Sequence, residues 1–139
     1  MSQESTTPDL VELTRRTFEA ANRGDADMAL RFFAPNAVWQ SSMVGDVIEG
    51  QAAIRGHLVD WRRVFGDVRF EVEEIADLGN GVVLVANRQR TRVGGSDQDI
   101  EGRYAFTYEW SAGLIVGITV YTDINEARAA AERLAESRE

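Results

Sequence analysis

The sequence lacks cysteine and almost lacks histidine. None of its 139 residues is cysteine, and His57 is the one histidine. Without cysteine there can be no disulfide, no thiolate zinc site and no thiol nucleophile. A single histidine also excludes a metal site built from several histidines of one chain. We therefore expect neither a metal site nor a cofactor.

Long apolar runs and a net positive charge are missing as well. No apolar stretch approaches the roughly 20 residues that a membrane helix needs. The polar, acidic segment over residues 1–7 has neither the basic start nor the apolar core of a signal peptide. The formal net charge of −8 repels phosphate backbones. The sequence therefore predicts a cytoplasmic protein that binds neither nucleic acid nor membranes.

What is present suits one globular domain. The chain is 44% hydrophobic and 27% charged, an ordinary balance for a domain of this length. We expect a flexible N-terminus over residues 1–6 and a single domain over residues 7–139. At this size a domain buries about two thirds of its surface, which is enough for a substantial hydrophobic core.

Helical spacing and capping residues predict three helices in the first half of the chain. Thr7 is a candidate cap for the first helix, with Pro8 at its first position and Gly24 at its end. Asp25 begins a short second helix. A third helix, over residues 52–65, carries an apolar stripe.

The second half of the chain has the two-residue period of β-strands. A short strand over 37–41 and a loop over 42–50 precede the third helix, and four longer strands follow it. The first of these four strands begins at residue 68, and the others are predicted over 82–93, 99–110 and 114–122. A turn at 94–97 joins the second and third strands, and a helix capped by Asp123 follows the last one. This order predicts an α+β fold in which a curved antiparallel sheet wraps over three N-terminal helices, with a further C-terminal helix.

Two of the predicted strands are apolar on both faces, namely residues 82–86 and 114–120. A sheet covered on one side alternates more cleanly. Because three helices on one side cannot cover both faces, we expect a homodimer formed through the sheet. Tyr121 lies on the face opposite to Val120 and is expected to contact the second copy.

Five segments lie in one order along almost the whole chain, over Phe18–Asp25, Phe33–Trp39, Glu49–Arg55, Asn87–Arg92 and Val120–Asp123. Together they resemble the SnoaL-like branch of the nuclear transport factor 2-like superfamily, which also includes the ketosteroid isomerase-like proteins. The resemblance implies a cone-shaped α+β barrel around one ligand pocket. It implies no single reaction, because the superfamily holds isomerases, cyclases, epoxide hydrolases, dehydratases and non-catalytic modules.

The catalytic sets of these relatives match the sequence poorly. The base, tyrosine and acid of the steroid isomerases fall at Ser41, Thr17 and Phe106, so we do not expect steroid isomerisation. The aspartate and histidine of the cyclases have no counterpart, because the predicted strands carry no histidine. Arg88 or Arg90 could supply the arginine of the Asp-Arg-Asp set of the epoxide hydrolases. The nearest candidate for an aspartate of that set is Asp123, which is a predicted helix cap.

A candidate ligand pocket follows from the clearest strand, over residues 99–110. Its even-numbered residues from 100 to 110 place four aromatic side chains on one face, at positions 104, 106, 108 and 110. The predicted lining consists of Trp39, Ser41, Leu58, Trp61, Arg88, Arg90, Tyr104, Phe106, Tyr108, Ile118 and Val120. Such an apolar and aromatic lining is usual for a small-molecule site. The alternative is that these residues simply fill the core.

Arg88 and His57 are the candidate catalytic residues. Arg88 and Arg90 lie on the face of Leu84 and Ala86, and a buried guanidinium needs a carboxylate from the protein or from a ligand. The resemblance favours an inward Arg88; the alternative is that the strand bends and both arginines reach solvent. His57 is a candidate for proton transfer near neutral pH, or else a packing group of the third helix.

The leading hypothesis is a protein that binds a small, largely apolar organic molecule whose carboxylate or carbonyl contacts Arg88. A cofactor-independent cyclisation, isomerisation or hydrolysis would use His57 as acid and base. Two alternatives remain open. One is a non-catalytic module for small-molecule binding or dimerisation, and the other is an accessory domain of a larger complex.

Overall fold

The computed structural model describes residues 9–42, 45, 47–65, 68–92 and 99–138. These residues form four helices and six strands. In chain order they are α1 (Leu10–Asn22), α2 (Ala26–Leu30), β1 (Phe33–Ser41), β2 (Val47–Glu49), α3 (Gln51–Phe65), β3 (Val68–Gly79), β4 (Val82–Arg92), β5 (Asp99–Ser111), β6 (Leu114–Tyr121) and α4 (Ile124–Ser137). The predicted N-terminal segment, the helix start at Thr7 and Pro8, and the turn at 94–97 lie outside the described residues.

The six strands form one curved, unclosed sheet in the order β2-β1-β6-β5-β4-β3. The α+β cone is confirmed, but the sheet is mixed rather than wholly antiparallel. The meander from β3 to β6 ends beside β1, and these two strands run parallel, with Trp39 opposite Ile118. Residues 42–50 were predicted to be a loop, but residues 47–49 form the edge strand β2. Three residues are too few for the alternation of apolar and polar side chains to indicate a strand.

Aspartates cap three of the helices. The side chain of Asp9 accepts a hydrogen bond from the backbone amide of Glu12 at 3.1 Å, so α1 begins at Leu10, after an aspartate cap. Asp25 and Asp123 cap α2 and α4 in the same way, and both were predicted. A carboxylate here accepts from an otherwise unpaired amide and lies at the positive end of the helix dipole.

The sheet has a cone face and an outer face, each with its own apolar cluster. On the cone face, Phe18 of α1 and Ile54 of α3 pack against buried residues of the sheet, which are Phe33, Ala37, Val83, Val85, Phe106, Tyr108, Trp110, Ile115 and Ile118. On the outer face, Val82, Leu84 and Ala105 pack against three alanines of α4, and Tyr121 packs against the same cluster. The C-terminal helix therefore covers the apolar outer side of β4.

This coverage corrects one step of the sequence reasoning. The two-faced apolar run over 82–86 was attributed to a second copy of the chain, and Tyr121 to a contact with that copy. Within one chain, α4 already covers Val82 and Leu84, both fully buried, and Tyr121 packs beside them. The small side chains of Ala127 and Ala131 allow the helix to approach the strands closely. The homodimer itself stays a prediction.

The end of α1 is joined to β3 by one amide side chain. Asn22 Nδ2 donates to the carbonyl of Phe70 at 2.9 Å, and the backbone amide of Phe70 donates to Asn22 Oδ1 at 2.7 Å. Two residues later Gly24 takes a left-handed conformation, with φ of 71°, and its carbonyl accepts from Arg62 of α3 at 3.0 Å. These contacts fix the helices over the cone face.

Candidate functional site

Phe106 lies at the centre of an aromatic group on the cone face. Its ring centroid is 5.7 Å from that of Phe18, 6.0 Å from Trp39, and 6.5 Å from both Phe70 and Tyr108. Four elements, α1, β1, β3 and β5, contribute these rings. The structure thus brings together the predicted lining residues Trp39, Phe106 and Tyr108, and adds Phe18 and Phe70, which the sequence reasoning did not select.

One end of the cone is closed by a buried network of satisfied hydrogen bonds. The hydroxyls of Tyr108 and Thr17 are 2.9 Å apart, and Thr17 also donates to the carbonyl of Thr14 at 2.7 Å. Trp110 Nε1 donates to Thr14 Oγ1 at 3.1 Å. Burial raises the pKa of Tyr108 well above its usual range, and the hydrogen bond to Thr17 opposes this only in part. We call this region the closed end; its hydroxyls are protonated and already paired.

The other end of the cone is lined by apolar side chains that are only half-buried. We call it the open end; its half-buried side chains include Trp39, Ile48, Leu58, Phe70, Val72, Tyr104 and Val120. The ring of Tyr104 lies over Gly102, where an added Cβ would come within 2.9 Å of the ring. Glycine is therefore required at 102 for Tyr104 to lie flat along this part of the strand.

Two amide side chains of β4 face the open end. Because Val83 and Val85 belong to the cone cluster, the alternation of the strand points Asn87 and Gln89 into the cone. Asn87 is fully buried, between Val72 of β3 and Tyr104 of β5 in the sheet register. Its Oδ1 accepts from Gln89 Nε2 at 3.4 Å, whereas its Nδ2 has no hydrogen-bond partner in the described part of the chain.

Helix α3 places His57 beside two tryptophans. The imidazole centroid is 5.7 Å from that of Trp39 and 6.4 Å from that of Trp61. His57 and its neighbour Leu58 are half-buried, and Trp61 is 38% exposed. The predicted residues of the third helix therefore lie together at the open end, with the histidine against the rim of the aromatic group.

Arg88 and Arg90 lie on the outer face, not in the cone. Arg88 is 3.6 Å from Glu73 and 3.7 Å from Glu101, and Arg90 is 3.5 Å from Glu71 and 3.7 Å from Glu101. Both arginines are partly exposed and paired with carboxylates of the neighbouring strands β3 and β5. The placement of both arginines in the pocket lining was wrong, as was the inward Arg88 that the resemblance favoured. The alternative that both arginines reach solvent is the one that the structure shows.

The arginines were misplaced because the wrong face of β4 was assigned to the cone. Residues 82–86 are apolar on both sides, so the sequence of this strand does not indicate which side faces the cone. The sequence of β5 does indicate it, because Glu101 and Arg103 lie on the face opposite to the aromatic residues. Pairing Arg88 and Arg90 with those charges would have assigned them outward and Asn87 inward.

A family model for the SnoaL-like domain matches residues 14–118. The chain belongs to this SnoaL-like family. No curated protein matches the chain. Among solved structures, a candidate SnoaL-like polyketide cyclase from Jannaschia sp. CCS1 is 16% identical, with a TM-score of 0.74 over 95% of this chain and 97% of the other. The SnoaL-like cone fold is thus shared over nearly the full length of both chains.

Two further solved structures share the fold. SalBIII, an epoxide hydrolase/cyclase-like enzyme of pyran ring formation in the polyether salinomycin, is 20% identical, with a TM-score of 0.71 over 82% of this chain and 90% of its own. TerC, co-crystallised with polyporic acid, is 15% identical, with a TM-score of 0.71 over 88% of this chain and 97% of its own.

The remaining predicted positions of this SnoaL-like chain lie on β1 and β6. Ile118 is buried and Val120 half-buried in the cone cluster, and Ser41 lies opposite Val120 in the sheet register. Among the residues whose burial the structure describes, no carboxylate or guanidinium side chain is buried; apart from Tyr108 and Trp110, the buried polar side chains are threonine, asparagine or glutamine. The same residues contain no cluster of three or more metal-ligating side chains, and none of their helices is long and apolar enough to cross a membrane.

Proposed function

We propose that this SnoaL-like protein binds a small, largely apolar organic molecule at the open end of its cone. The observation that carries the proposal is the contrast between the two ends. Tyr108 and Trp110 at the closed end are almost completely buried, whereas Trp39, Phe70 and Tyr104 at the open end remain half-exposed. A ligand that covers these rings removes apolar surface from water, which is the main driving force for binding in such sites.

The relatives support a small molecule as the occupant. TerC was co-crystallised with polyporic acid, and SalBIII acts in pyran ring formation. Their low identity to this chain means that they support the cone as a scaffold for organic ligands, not a shared substrate. In this chain the aromatic group around Phe106 supplies an apolar surface on which a flat or cyclic ligand can stack.

Binding rather than catalysis is the better-supported activity. General acid–base catalysis needs an ionisable group at the reacting atoms. Among the side chains that the structure describes, no carboxylate is buried in the cone, and Arg88 is paired with glutamates outside it. A second candidate function, proton transfer on the bound molecule, rests on His57, whose ring lies against Trp39 at the open end.

The experiment is native mass spectrometry of the purified protein, followed by chemical analysis of any molecule released on denaturation. We expect a discrete organic molecule to be bound. Val120→Phe, which fills the open end, should lower its occupancy. Thr119→Phe, which alters the neighbouring residue on the outer face of β6, should not. Equal occupancy in the two variants would contradict the location, and absence of any bound or bindable apolar molecule would contradict the function.

The same experiment gives two further results. The mass of the native particle tests the predicted homodimer. The released molecule can then be supplied to wild type and to His57→Gln. Loss of turnover with unchanged binding would support proton transfer by His57, whereas no turnover by either protein would leave a binding module as the function.

A further inference from the structure

We propose that Asn87 is the polar anchor of the site and that the ligand is an uncharged molecule with a hydrogen-bond acceptor oxygen, such as a ketone, ester, amide or ether. This inference deepens the binding function proposed above and rests on it. Its basis is the side-chain amide of Asn87, which is fully buried on the cone face with an Nδ2 group that no described residue pairs.

The unpaired group is a strong indication because buried polar groups are nearly always hydrogen-bonded. Leaving a buried amide donor unpaired costs free energy, and the low dielectric around it increases that cost. At the closed end of the same cone, the polar side chains of Thr17, Tyr108 and Trp110 all have partners. The exception at Asn87 is therefore local to the open end.

The neighbours of Asn87 hold its amide in one orientation. Gln89 Nε2 donates to its Oδ1, so the oxygen is directed along β4 towards Gln89, and Nδ2 is the group left for a ligand. Val72 and Tyr104 flank it on the adjacent strands, and Phe106 lies on β5 one step towards the closed end. Because Nδ2 has no solvent-exposed surface, a ligand stacked on these rings would reach it by displacing part of its half-buried cover, such as the ring of Tyr104, and would then place an acceptor oxygen at Nδ2.

The ligand is neutral because the described cone has no buried charge to pair with. A carboxylate would lose its hydration beside an amide dipole alone, since Arg88 and Arg90 bind glutamates on the outer face. A cation would meet no buried carboxylate among the residues whose burial the structure describes. An acceptor oxygen without charge satisfies Nδ2 at the lowest desolvation cost.

The substitution Asn87→Leu separates ligand preference from the stability of the fold. It keeps a similar volume and removes the unpaired donor, but it also takes the acceptor away from Gln89 Nε2. These two effects on the free energy of unfolding oppose each other. Ligand preference changes in one direction only, because the substitution removes the donor that would bind an acceptor oxygen.

The test uses three naphthalene probes with substituents at the same ring carbon. Acetylnaphthalene offers a carbonyl oxygen, isopropenylnaphthalene has nearly the same shape without an acceptor, and naphthoate carries a charge. Binding is measured by titration against tryptophan fluorescence, and melting by circular dichroism. Wild type, Asn87→Leu and the control Thr107→Val, which removes a buried hydroxyl on the outer face, are compared.

We expect wild type to bind acetylnaphthalene about three- to tenfold more tightly than isopropenylnaphthalene, and to bind naphthoate more weakly than either. Asn87→Leu should lose the preference for the carbonyl, and Thr107→Val should keep it. Equal affinity of wild type for the first two probes, or a preference for the carbonyl that survives in a folded Asn87→Leu, would each overturn the role of Asn87. Failure of wild type to bind either neutral probe would instead overturn the proposed function and, with it, this inference.

Discussion

The hydroxyl of Tyr108 donates a hydrogen bond to the side-chain oxygen of Thr17 over 2.9 Å, inside the closed end of the cone. The direction follows from the hydroxyl of Thr17, whose own proton is directed to the carbonyl of Thr14 at 2.7 Å. Helix α1 and strand β5 are thus joined by a bond between side chains that lie 91 residues apart. This contact stabilises the folded chain and leaves Tyr108 no free proton for a ligand.

Tyr108→Phe should lower the free energy of unfolding by about 1 kcal/mol, the usual net value of one buried hydrogen bond. Urea denaturation followed by circular dichroism measures the change. Tyr104→Phe is the matched control, because the Tyr104 hydroxyl makes no hydrogen bond within the described residues. If the two variants lost the same stability, the hydrogen bond to Thr17 would not be the cause.

The raised pKa of Tyr108 predicts a loss of stability in alkali. Burial disfavours the phenolate, so its pKa in the folded state lies above the value of about 10 in the unfolded chain. The stabilisation that comes from this raised pKa is fully present at any pH below the pKa of the unfolded chain. It declines as the pH rises from the unfolded pKa towards the folded pKa. We expect unfolding to become easier above about pH 10 in wild type, and less so in Tyr108→Phe.

The basic residues favour this measurement. All fifteen of them are arginine, whose guanidinium stays charged, so lysine does not titrate in the same range. Tyr121, whose pKa is raised first by partial burial and then by Glu126, is present in both proteins and cancels in the comparison. Parallel loss of stability in wild type and Tyr108→Phe between pH 8 and pH 11 would contradict the assignment.

Arg88→Gln should leave ligand binding unchanged. The guanidinium pairs with Glu73 and Glu101 at 3.6 and 3.7 Å on the outer face, with a third of its side chain exposed. Such pairs contribute below about 1 kcal/mol because solvent screens them. Titration with acetylnaphthalene and a urea denaturation curve test both statements. A folded variant that no longer binds the probe would show that Arg88 reaches the cone after all.

Asp123→Ala should destabilise the protein by about 1 kcal/mol, since its carboxylate accepts from the backbone amides of Asn125 and Glu126 at the start of α4. Because α4 covers Val82 and Leu84, fraying of its first turn also exposes the outer face. Hydrogen exchange should accelerate in α4 and not in α1. Unchanged exchange in α4 would show that packing of its alanines, rather than the cap, holds the helix.

Much of the fold could be predicted from the sequence because its signals are local. The caps at Asp25 and Asp123 and the alternation of residues 99–110 each specify an element without knowledge of the rest. The cap of α1 was assigned to Thr7, yet Asp9 holds that position; threonine and aspartate both favour it, and the two residues are only two positions apart. The parallel pairing of β1 with β6 is long-range, and no local signal indicates it.

The site was predicted only in part, for a physical reason. Trp39, Phe106 and Tyr108 were found because aromatic residues on one strand face indicate a core or a pocket. Arg88 was placed inward and Asn87 overlooked because β4 is apolar on both sides, and the face that meets the cone depends on where α4 packs. That choice is made by tertiary contacts, which the pattern of one strand does not contain.

The clamp between Asn22 and Phe70 has a consequence for how copies of this protein meet. β3 is the last strand on its side of the sheet, and a free strand edge is a template on which another chain can add a strand. At Phe70 the amide of Asn22 already occupies both the donor and the acceptor of that edge. A strand from a neighbouring molecule therefore cannot form a continuous ladder of backbone hydrogen bonds along this edge. The side chain of Asn22, which fixes α1 over the cone, thus also opposes intermolecular β-sheet growth at β3.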